Sequence, residues 1–148
     1  MSMPDEYLVR DYMSWPVTTV SHDARLLDAA LTLRRTGFRH LAIVDGEKLV
    51  AIITDRDISR FAPSLLTNIS QEEYNAIFEN TPLAKVMTRN PLSVTPTTPM
   101  RDAVKILYNR KLGCLPVVEG QKLVGIITVS DMLSFLYRLM TGEAPPQE

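Results

Sequence analysis

The sequence contains an internal repeat, in which residues 13–62 match residues 87–136 at a constant offset of 74. Of these 50 aligned positions 16 are identical, whereas unrelated sequences of ordinary composition would share about three. The identities are densest in the segments 46–54 and 120–128. Two copies of about 55 residues are too few for an open solenoid. The repeat therefore predicts a closed pair of similar units with approximate two-fold symmetry and a shared core.

The charge balance and the cysteine count exclude several classes of protein. With 16 basic and 17 acidic residues, the chain has no net field that would attract nucleic acid or an acidic membrane. No apolar run approaches the ~20 residues needed to cross a bilayer, and residues 1–15 do not resemble a signal peptide. Cys114 is the only cysteine, which excludes an intrachain disulfide and a multi-cysteine metal site. We expect a cytoplasmic protein without a metal and without a required cofactor.

Each copy of the repeat predicts the order strand, helix, strand, strand, helix, which is an α/β (α+β) class. A β-branched run at 17–20 predicts the first strand. The first helix is predicted by apolar residues at helical spacing, with Gly37 at its end in copy one and with Thr98 as N-cap before Pro99 in copy two. The apolar positions are Leu26, Ala29, Ala30 and Leu33 in one copy, and Met100, Ala103, Val104 and Leu107 in the other.

Two apolar runs joined by a turn then predict a β-hairpin in each copy. The runs are 41–44 and 49–53 in copy one, and 115–118 and 123–127 in copy two, with Asp45-Gly46 and Glu119-Gly120 at the turns. Neither run alternates strictly between apolar and polar residues, which predicts burial of both faces of the sheet. A last helix is predicted to start after Thr54 in one copy and after Thr128 in the other.

The segment between the copies predicts one further helix. Ser70 with Glu73 is a capping-box pattern, followed by an apolar stripe, and Thr81-Pro82 predicts a cap on the helical run leading to Met87. Residues 4–12 mirror that run before Met13. We therefore divide the chain into a first repeat at 1–69, a helical insertion at 70–82, a second repeat at 83–141 and a frayed tail at 142–148.

No catalytic set can be assembled from these residues. His22 and His40 lack a spacing that suggests shared metal ligation, and a lone Cys is most often a small core residue. The notable pattern is Thr54-x-x-Asp57 with its counterpart Thr128-x-x-Asp131. It suits a helix cap, and it equally suits a ligand site where a hydroxyl, helix N–H groups and a carboxylate bind a phosphate and a ribose diol. Arg56 would add a phosphate contact, whereas copy two has Ser130 there.

The repeats strongly resemble the CBS domain, named after cystathionine β-synthase. The resemblance rests on Leu41-Ala42-Ile43-Val44-Asp45, on 49–57, and on Leu115-Pro116-Val117-Val118 with Gly125-Ile126-Ile127-Thr128. It implies a Bateman module, in which two β-α-β-β-α units pack sheet to sheet and leave two clefts for adenosine compounds. Copy one departs at Ala42 and Ala51, where the family favours Pro and Gly.

The resemblance also implies which residues bind the ligand. Thr54 and Asp57, and likewise Thr128 and Asp131, would hold phosphate and ribose, each Asp serving a cleft whose base-binding wall comes from the other repeat. The residues implied for binding the base are Val17, Thr18, Thr19, Arg39, His40 and Leu41 in copy one, and Leu92, Ser93, Val94, Gly113, Cys114 and Leu115 in copy two.

The leading hypothesis is a stand-alone regulatory module, not an enzyme, that senses energy or metabolite state by binding AMP, ADP or ATP. S-adenosylmethionine would suit the Thr128–Asp131 cleft, and an S-adenosylmethionine or NAD sensor is an alternative. A second hypothesis is a dimeric interaction scaffold with vestigial clefts, joined through Phe61, Leu65, Tyr137 and Leu139. Homodimerisation and an unidentified regulated protein partner are expected, and nucleic acid is not.

Overall fold

Five α-helices and six β-strands follow one another in the computed structural model, which describes residues 7–63 and 68–144. In chain order they are β1 Thr19–Ser21, α1 Leu26–Thr36, β2 His40–Asp45, β3 Lys48–Thr54, α2 Asp55–Phe61, α3 Gln71–Asn80, β4 Thr88–Arg89, α4 Met100–Arg110, β5 Cys114–Glu119, β6 Lys122–Thr128 and α5 Val129–Thr141. Single 3-10 turns occur at Val9–Asp11 and Leu83–Lys85. This order confirms the α+β class and the β-α-β-β-α repeat.

The chain separates into two compact units, and each is described here by itself. The first-repeat unit is Thr18–Pro91. The second-repeat unit combines the described parts of 1–17 and 92–148. Residues 7–17 thus belong in sequence to the first repeat as predicted at 1–69, but they pack with the second. The boundaries predicted at 69, 82 and 141 stay predictions, and residues 145–148 of the predicted tail lie outside the described residues.

In the first-repeat unit the strands lie in the spatial order β1, β2, β3, β4. β1 is parallel to β2, and the other neighbours are antiparallel. The core consists of one face of α1, the strand interiors and Phe78 of α3. The apolar face predicted for α1 is confirmed: Leu26, Ala29 and Leu33 are buried, and Ala30 is partly buried. Gly37 ends α1 with a φ of 73°, a left-handed conformation that glycine adopts without strain.

The second-repeat unit repeats this pattern around the hairpin of β5 and β6. Val94 forms a parallel bridge with Val117, and Ser14 forms an antiparallel bridge with Ile126. These bridges occupy the places that β1 and β4 hold in the first-repeat unit. The two hairpins also share one register, with an irregularity after Ile43 in one and after Val117 in the other. Ala42 and Ala51, where copy one departs from the family pattern, therefore leave the hairpin register unchanged.

Three sequence-based expectations about helix ends and faces were wrong. Thr98 does not cap α4: Pro99 is the N-cap residue, and the Thr98 hydroxyl accepts a hydrogen bond from the Thr95 amide instead. Thr81 does not cap the following turn, because its hydroxyl donates back to the Ile77 carbonyl at the end of α3. Val104 is 41% exposed although it falls at an apolar position of α4.

The predicted helix after Ser70 is present as α3, and the Ser70 hydroxyl accepts the Glu73 amide. The helical run predicted to lead to Met87 is only a 3-10 turn at Leu83–Lys85. Its counterpart before Met13 is the 3-10 turn Val9–Asp11, and residues 4–6 of the predicted run lie outside the described part of the chain.

Candidate functional site

The Thr54-x-x-Asp57 pattern lies where β3 ends and α2 begins. Thr54 is the N-cap residue, and its hydroxyl accepts a hydrogen bond from the Asp57 amide at 3.0 Å. In return, Asp57 Oδ2 accepts a hydrogen bond from the Thr54 amide at 2.9 Å. This reciprocal capping box satisfies two backbone donors that the first turn of the helix would leave unpaired. The capping interpretation of the pattern is therefore correct, and any role in ligand binding is additional to it.

The fold brings other predicted residues of copy one to the same edge. His40, the first residue of β2, pairs with Thr54, and the Asp55 amide donates to the Arg39 carbonyl at 3.0 Å. Thr19 begins β1, which runs parallel to β2, so that Thr18 and Thr19 lie towards this edge as well. We refer to this end of the sheet, with Thr54 to Asp57, as the first edge.

Two predicted residues of copy one contribute less to the first edge. Leu41 is fully buried in the core, which leaves mainly its backbone for a ligand. Val17 belongs to the second-repeat unit by its contacts, not to the unit that contains Thr54. The strand predicted at 17–20 is observed two residues later, as Thr19–Ser21.

The first edge is densely charged. His40 is half-buried, and this desolvation lowers its pKa below the usual value of 6.5. The Asp55 carboxylate raises the pKa of His40 in part, the Arg39 guanidinium lowers it, and the Asp57 carboxylate raises it. The net lowering makes the imidazole neutral near pH 7. A neutral His40 therefore offers a ligand one donor and one acceptor.

The corresponding second edge lies where β6 ends and α5 begins. Thr128 accepts a hydrogen bond from the Asp131 amide at 3.2 Å, and Asp131 Oδ2 accepts from the Thr128 amide at 2.8 Å. The Val129 amide donates to the Gly113 carbonyl at 3.1 Å, and Cys114 pairs with Thr128. These contacts reproduce those of the first edge at the offset of 74.

The other residues predicted for the second edge differ in their exposure to solvent. Cys114 and Leu115 are buried, and burial raises the pKa of the Cys114 thiol to about 12. That thiol is neutral at physiological pH and is not an activated nucleophile. Val94 is buried beside β5, whereas Leu92 and Ser93, which precede it, are exposed.

One chemical difference between the two edges is in their charge. At the offset of 74, Arg39 becomes Gly113 and His40 becomes Cys114. In the exposed first turn of the following helix, Asp55-Arg56 becomes Val129-Ser130. The first edge therefore has two guanidinium groups that can pair with an anion, and the second edge has none at the same positions.

Sequence reasoning missed Ser14, whose hydroxyl donates a hydrogen bond to Asp131 Oδ1 at 3.1 Å. The contact joins residues 117 positions apart, and no local spacing predicts it. The available signal was the repeat itself, because Ser14 and Thr88 are a pair of hydroxyl residues directly after Met13 and Met87.

One shallow depression, of about 370 Å³, lies beside α4 and is lined by Leu92, Asp102, Lys105, Ile106, Asn109 and Arg110. Of the residues predicted to bind a ligand, only Leu92 contributes to it. Within residues 7–63 and 68–144, no group of three His, Cys, Asp or Glu side chains is arranged to hold a metal ion. The helices of these ranges are all too short or too polar to span a membrane.

Comparison with known proteins identifies the fold and its relatives. A family model of the CBS domain matches residues 9–64 and 83–138. The protein AcuB of Vibrio cholerae is 33% identical, with a TM-score of 0.76 over 94% of this chain and 98% of that one. CBSX2 of Arabidopsis thaliana, solved in complex with AMP, is 25% identical, with a TM-score of 0.76 over 90% and 98% of the two chains.

A third structure, the CBS domain pair of protein MJ0100, was solved with 5′-methylthioadenosine and S-adenosyl-L-methionine. It is 27% identical, with a TM-score of 0.71 over 87% of this chain and 98% of that one. The two family matches cover most of the sequence and coincide with the two copies of the repeat. The chain therefore belongs to the CBS domain family and contains two CBS domains in tandem.

Proposed function

We propose that this CBS pair is a regulatory module that binds an adenosine-containing ligand, and that AMP or a related adenine nucleotide binds at the first edge. The observation that carries the proposal is the combination of the Asp57 carboxylate with the nearby cations of Arg39 and Arg56. Two structurally similar CBS pairs were solved with adenosine compounds, AMP in one and S-adenosyl-L-methionine in the other. The regulated partner would be another protein.

The Asp57 carboxylate is suited to a ribose diol. Only its Oδ2 is used by the capping box, and no donor from residues 7–63 or 68–144 reaches Oδ1. A carboxylate has about four acceptor positions, so that two ribose hydroxyls can donate to Asp57 without disturbing the cap. The cap in turn fixes the carboxylate, which lowers the entropic cost of binding.

The exposed Arg56 side chain favours a phosphorylated ligand. It lies in the first turn of α2, one residue before Asp57, and it forms no salt bridge with any residue that the structure describes. A guanidinium binds phosphate through charge-assisted hydrogen bonds. At the second edge the equivalent residue is Ser130, which suits a ligand without a phosphate, such as S-adenosylmethionine.

Calorimetric titration with AMP and with adenosine tests this assignment. Asp57→Asn keeps an oxygen for the Thr54 amide but removes the negative charge and one acceptor, and we expect AMP affinity to fall at least about tenfold. Arg56→Ser removes one of the two guanidinium groups of the first edge and should reduce the preference for AMP over adenosine. The matched controls are Asp131→Asn and Ser130→Arg. Unchanged AMP affinity in Asp57→Asn would refute the assignment.

One observation favours a second candidate function, a self-associating interaction scaffold. The helix α5 exposes an apolar stripe at helical spacing that comprises Val129, Leu133, Leu136, Tyr137 and Met140. Leu133 is 61% exposed and Met140 is 76% exposed. A continuous apolar stripe of this kind is typical of a protein–protein interface. Phe61 and Leu139 of the predicted interface are also exposed, and Leu65 lies outside the described residues.

A further inference from the structure

We propose that the Ser14 hydroxyl is a specificity-determining group, which weakens binding of a ribose diol at the second edge by competing for Asp131. The inference rests on the proposed function, because it concerns the affinity of the second edge for the same class of ligand. It assigns a role to a residue outside both copies of the Thr-x-x-Asp pattern. It also predicts that the two edges differ in affinity for a reason other than charge.

Ser14 is held in place by the backbone. Its amide donates to the Ile126 carbonyl at 2.8 Å, and the Ile126 amide donates to the Ser14 carbonyl at 3.0 Å. The preceding side chain, Met13, packs against the core of the second-repeat unit. Because both backbone groups of Ser14 are paired with β6, its hydroxyl stays close to Asp131, which follows the end of that strand.

The acceptor positions of Asp131 are accordingly more occupied than those of Asp57. Oδ2 accepts from the Thr128 amide at 2.8 Å and lies 3.1 Å from the Thr128 hydroxyl, and Oδ1 accepts from Ser14 at 3.1 Å. Three donors therefore surround a carboxylate that has about four acceptor positions. A diol needs two of them, so that one existing donor must leave when a ribose binds at Asp131.

Thr88 provides the internal comparison. It is the counterpart of Ser14 at the offset of 74 and pairs with Ile52, the counterpart of Ile126. The geometry of the backbone is thus matched. In the described part of the chain, no hydrogen bond links the Thr88 hydroxyl to Asp57. The only hydrogen bond that the Asp57 carboxylate accepts there comes from the Thr54 amide. The competing hydroxyl is therefore specific to the second edge.

A ligand displaces the Ser14 hydroxyl from Asp131 more easily than it displaces the Thr128 amide. The Thr128 amide belongs to the capping box, and its loss would leave an unpaired backbone group at the start of α5. Ser14 is exposed, and water can take the place of its partner once Asp131 is withdrawn. Displacement still costs the hydrogen bond, which is the free energy by which the second edge is weakened.

Titration with adenosine in an Asp57→Asn background isolates the second edge. We expect Ser14→Ala in that background to tighten adenosine binding about three- to tenfold, as removal of one competing hydrogen bond implies. The gain should be smaller for 2′-deoxyadenosine, which brings one hydroxyl fewer to the carboxylate. Thr88→Ala is the matched control and should leave the affinity unchanged. Ser14→Thr retains a hydroxyl at the same place and should keep the weaker affinity.

Unchanged or weaker adenosine binding in Ser14→Ala would overturn the inference, as would an equal gain in Thr88→Ala. A parallel titration of the otherwise unaltered chain with AMP separates this result from failure of the proposed function. If AMP binds there and Ser14→Ala changes nothing, only the role of Ser14 is refuted. If neither AMP nor adenosine binds any of these proteins, the proposed function and the inference both fail.

Discussion

Lys111 occupies a backbone conformation that glycine would adopt at lower cost. It ends α4 with a φ of 55°, and its amide donates to the Leu107 carbonyl, as the Gly37 amide donates to Leu33 at the end of α1. The left-handed conformation costs an L-residue about 1–2 kcal/mol. Glycine avoids this cost but loses more backbone entropy on folding, which offsets about 0.5–1 kcal/mol of the gain. We therefore expect Lys111→Gly to raise the free energy of unfolding by about 0.5–1 kcal/mol.

Chemical denaturation measures this effect, and Lys111→Ala is its control because it removes the side chain but keeps the strain. Gly37→Lys should lower the free energy of unfolding, because it places a lysine in the same left-handed conformation. A Cβ at Gly37 would meet no atom within 4 Å, so the loss would come from backbone strain alone. The explanation by backbone conformation is wrong if Lys111→Gly and Lys111→Ala are equally stable.

His40 makes the stability of the chain depend on pH. In the folded state the pKa of His40 lies below its usual value of 6.5. At a pH between the folded-state pKa and 6.5, His40 is therefore protonated more often in the unfolded chain than in the folded one. Stability contributed by the neutral imidazole is therefore full above pH 6.5 and is lost as the pH falls towards the folded pKa. We expect unfolding free energies measured between pH 7.5 and 5 to fall less steeply in His40→Gln. An identical slope in both proteins would contradict this.

At the scale of residues, the sequence identified the local contacts and missed the long-range ones. The capping boxes at Thr54 and Thr128 were predictable because both partners lie three positions apart. The Ser14 contact depends on an isolated bridge to β6, which no short pattern encodes. Thr98 and Thr81 were misassigned because a hydroxyl beside a helix can bond in either direction along the chain.

At the scale of elements, the start of α5 depends on its cap. The Thr128 hydroxyl accepts a hydrogen bond from the Asp131 amide, and the Asp131 carboxylate accepts one from the Thr128 amide. Loss of a threonine N-cap typically costs about 1 kcal/mol. Thr128→Ala should therefore reduce the free energy of unfolding by about 1 kcal/mol. Thr128→Ser, which keeps the acceptor, should lose much less. Urea denaturation of the three proteins checks this, and equal losses in both variants would show that the hydroxyl does not act as a cap.

The hairpins were the elements best predicted from the sequence. Gly46 and Gly120 have φ values of 63° and 61°, as the primed turns of tight hairpins require. The first strand was placed less accurately, because β1 has only three residues and is held by its pairing with β2. Short edge strands of this kind depend on tertiary contacts more than on their own propensity.

At the scale of the whole molecule, the apolar stripe of α5 predicts self-association. Leu133 is 61% exposed and lies within this stripe. We expect a dimer in size-exclusion chromatography with light scattering, and a monomer for Leu133→Glu, because a charge in an apolar interface must be desolvated without a partner. Tyr108→Glu is a control, since Tyr108 is 82% exposed on α4, outside the stripe. A monomer at high concentration, or a dimer that survives Leu133→Glu, would exclude this interface.

The duplication allowed the sequence to predict two similar units and two similar edges. It did not predict that residues 7–17 pack with the second repeat. That packing brings Ser14 to Asp131, and the Ser14 hydroxyl donates to a carboxylate whose counterpart, Asp57, receives no such hydrogen bond from Thr88 among the described residues. This contact adds to the charge differences at positions 39 and 56, which comparison of the two copies does reveal, and it depends on an isolated bridge rather than on any local spacing.

Thermal unfolding of protein verified as ligand-free tests the central claim most directly, by comparison of AMP and adenosine with GMP and guanosine. A ligand at 100 times its dissociation constant adds about 2.7 kcal/mol of stability, which for a chain of this size raises the Tm by about 5 °C or more. We predict such a rise with AMP, a smaller rise with GMP, and a rise with AMP that falls to about half or less in Asp57→Asn, as an affinity at least about tenfold weaker implies. If neither AMP nor adenosine raises the Tm, the proposal that this chain binds an adenosine-containing ligand is contradicted.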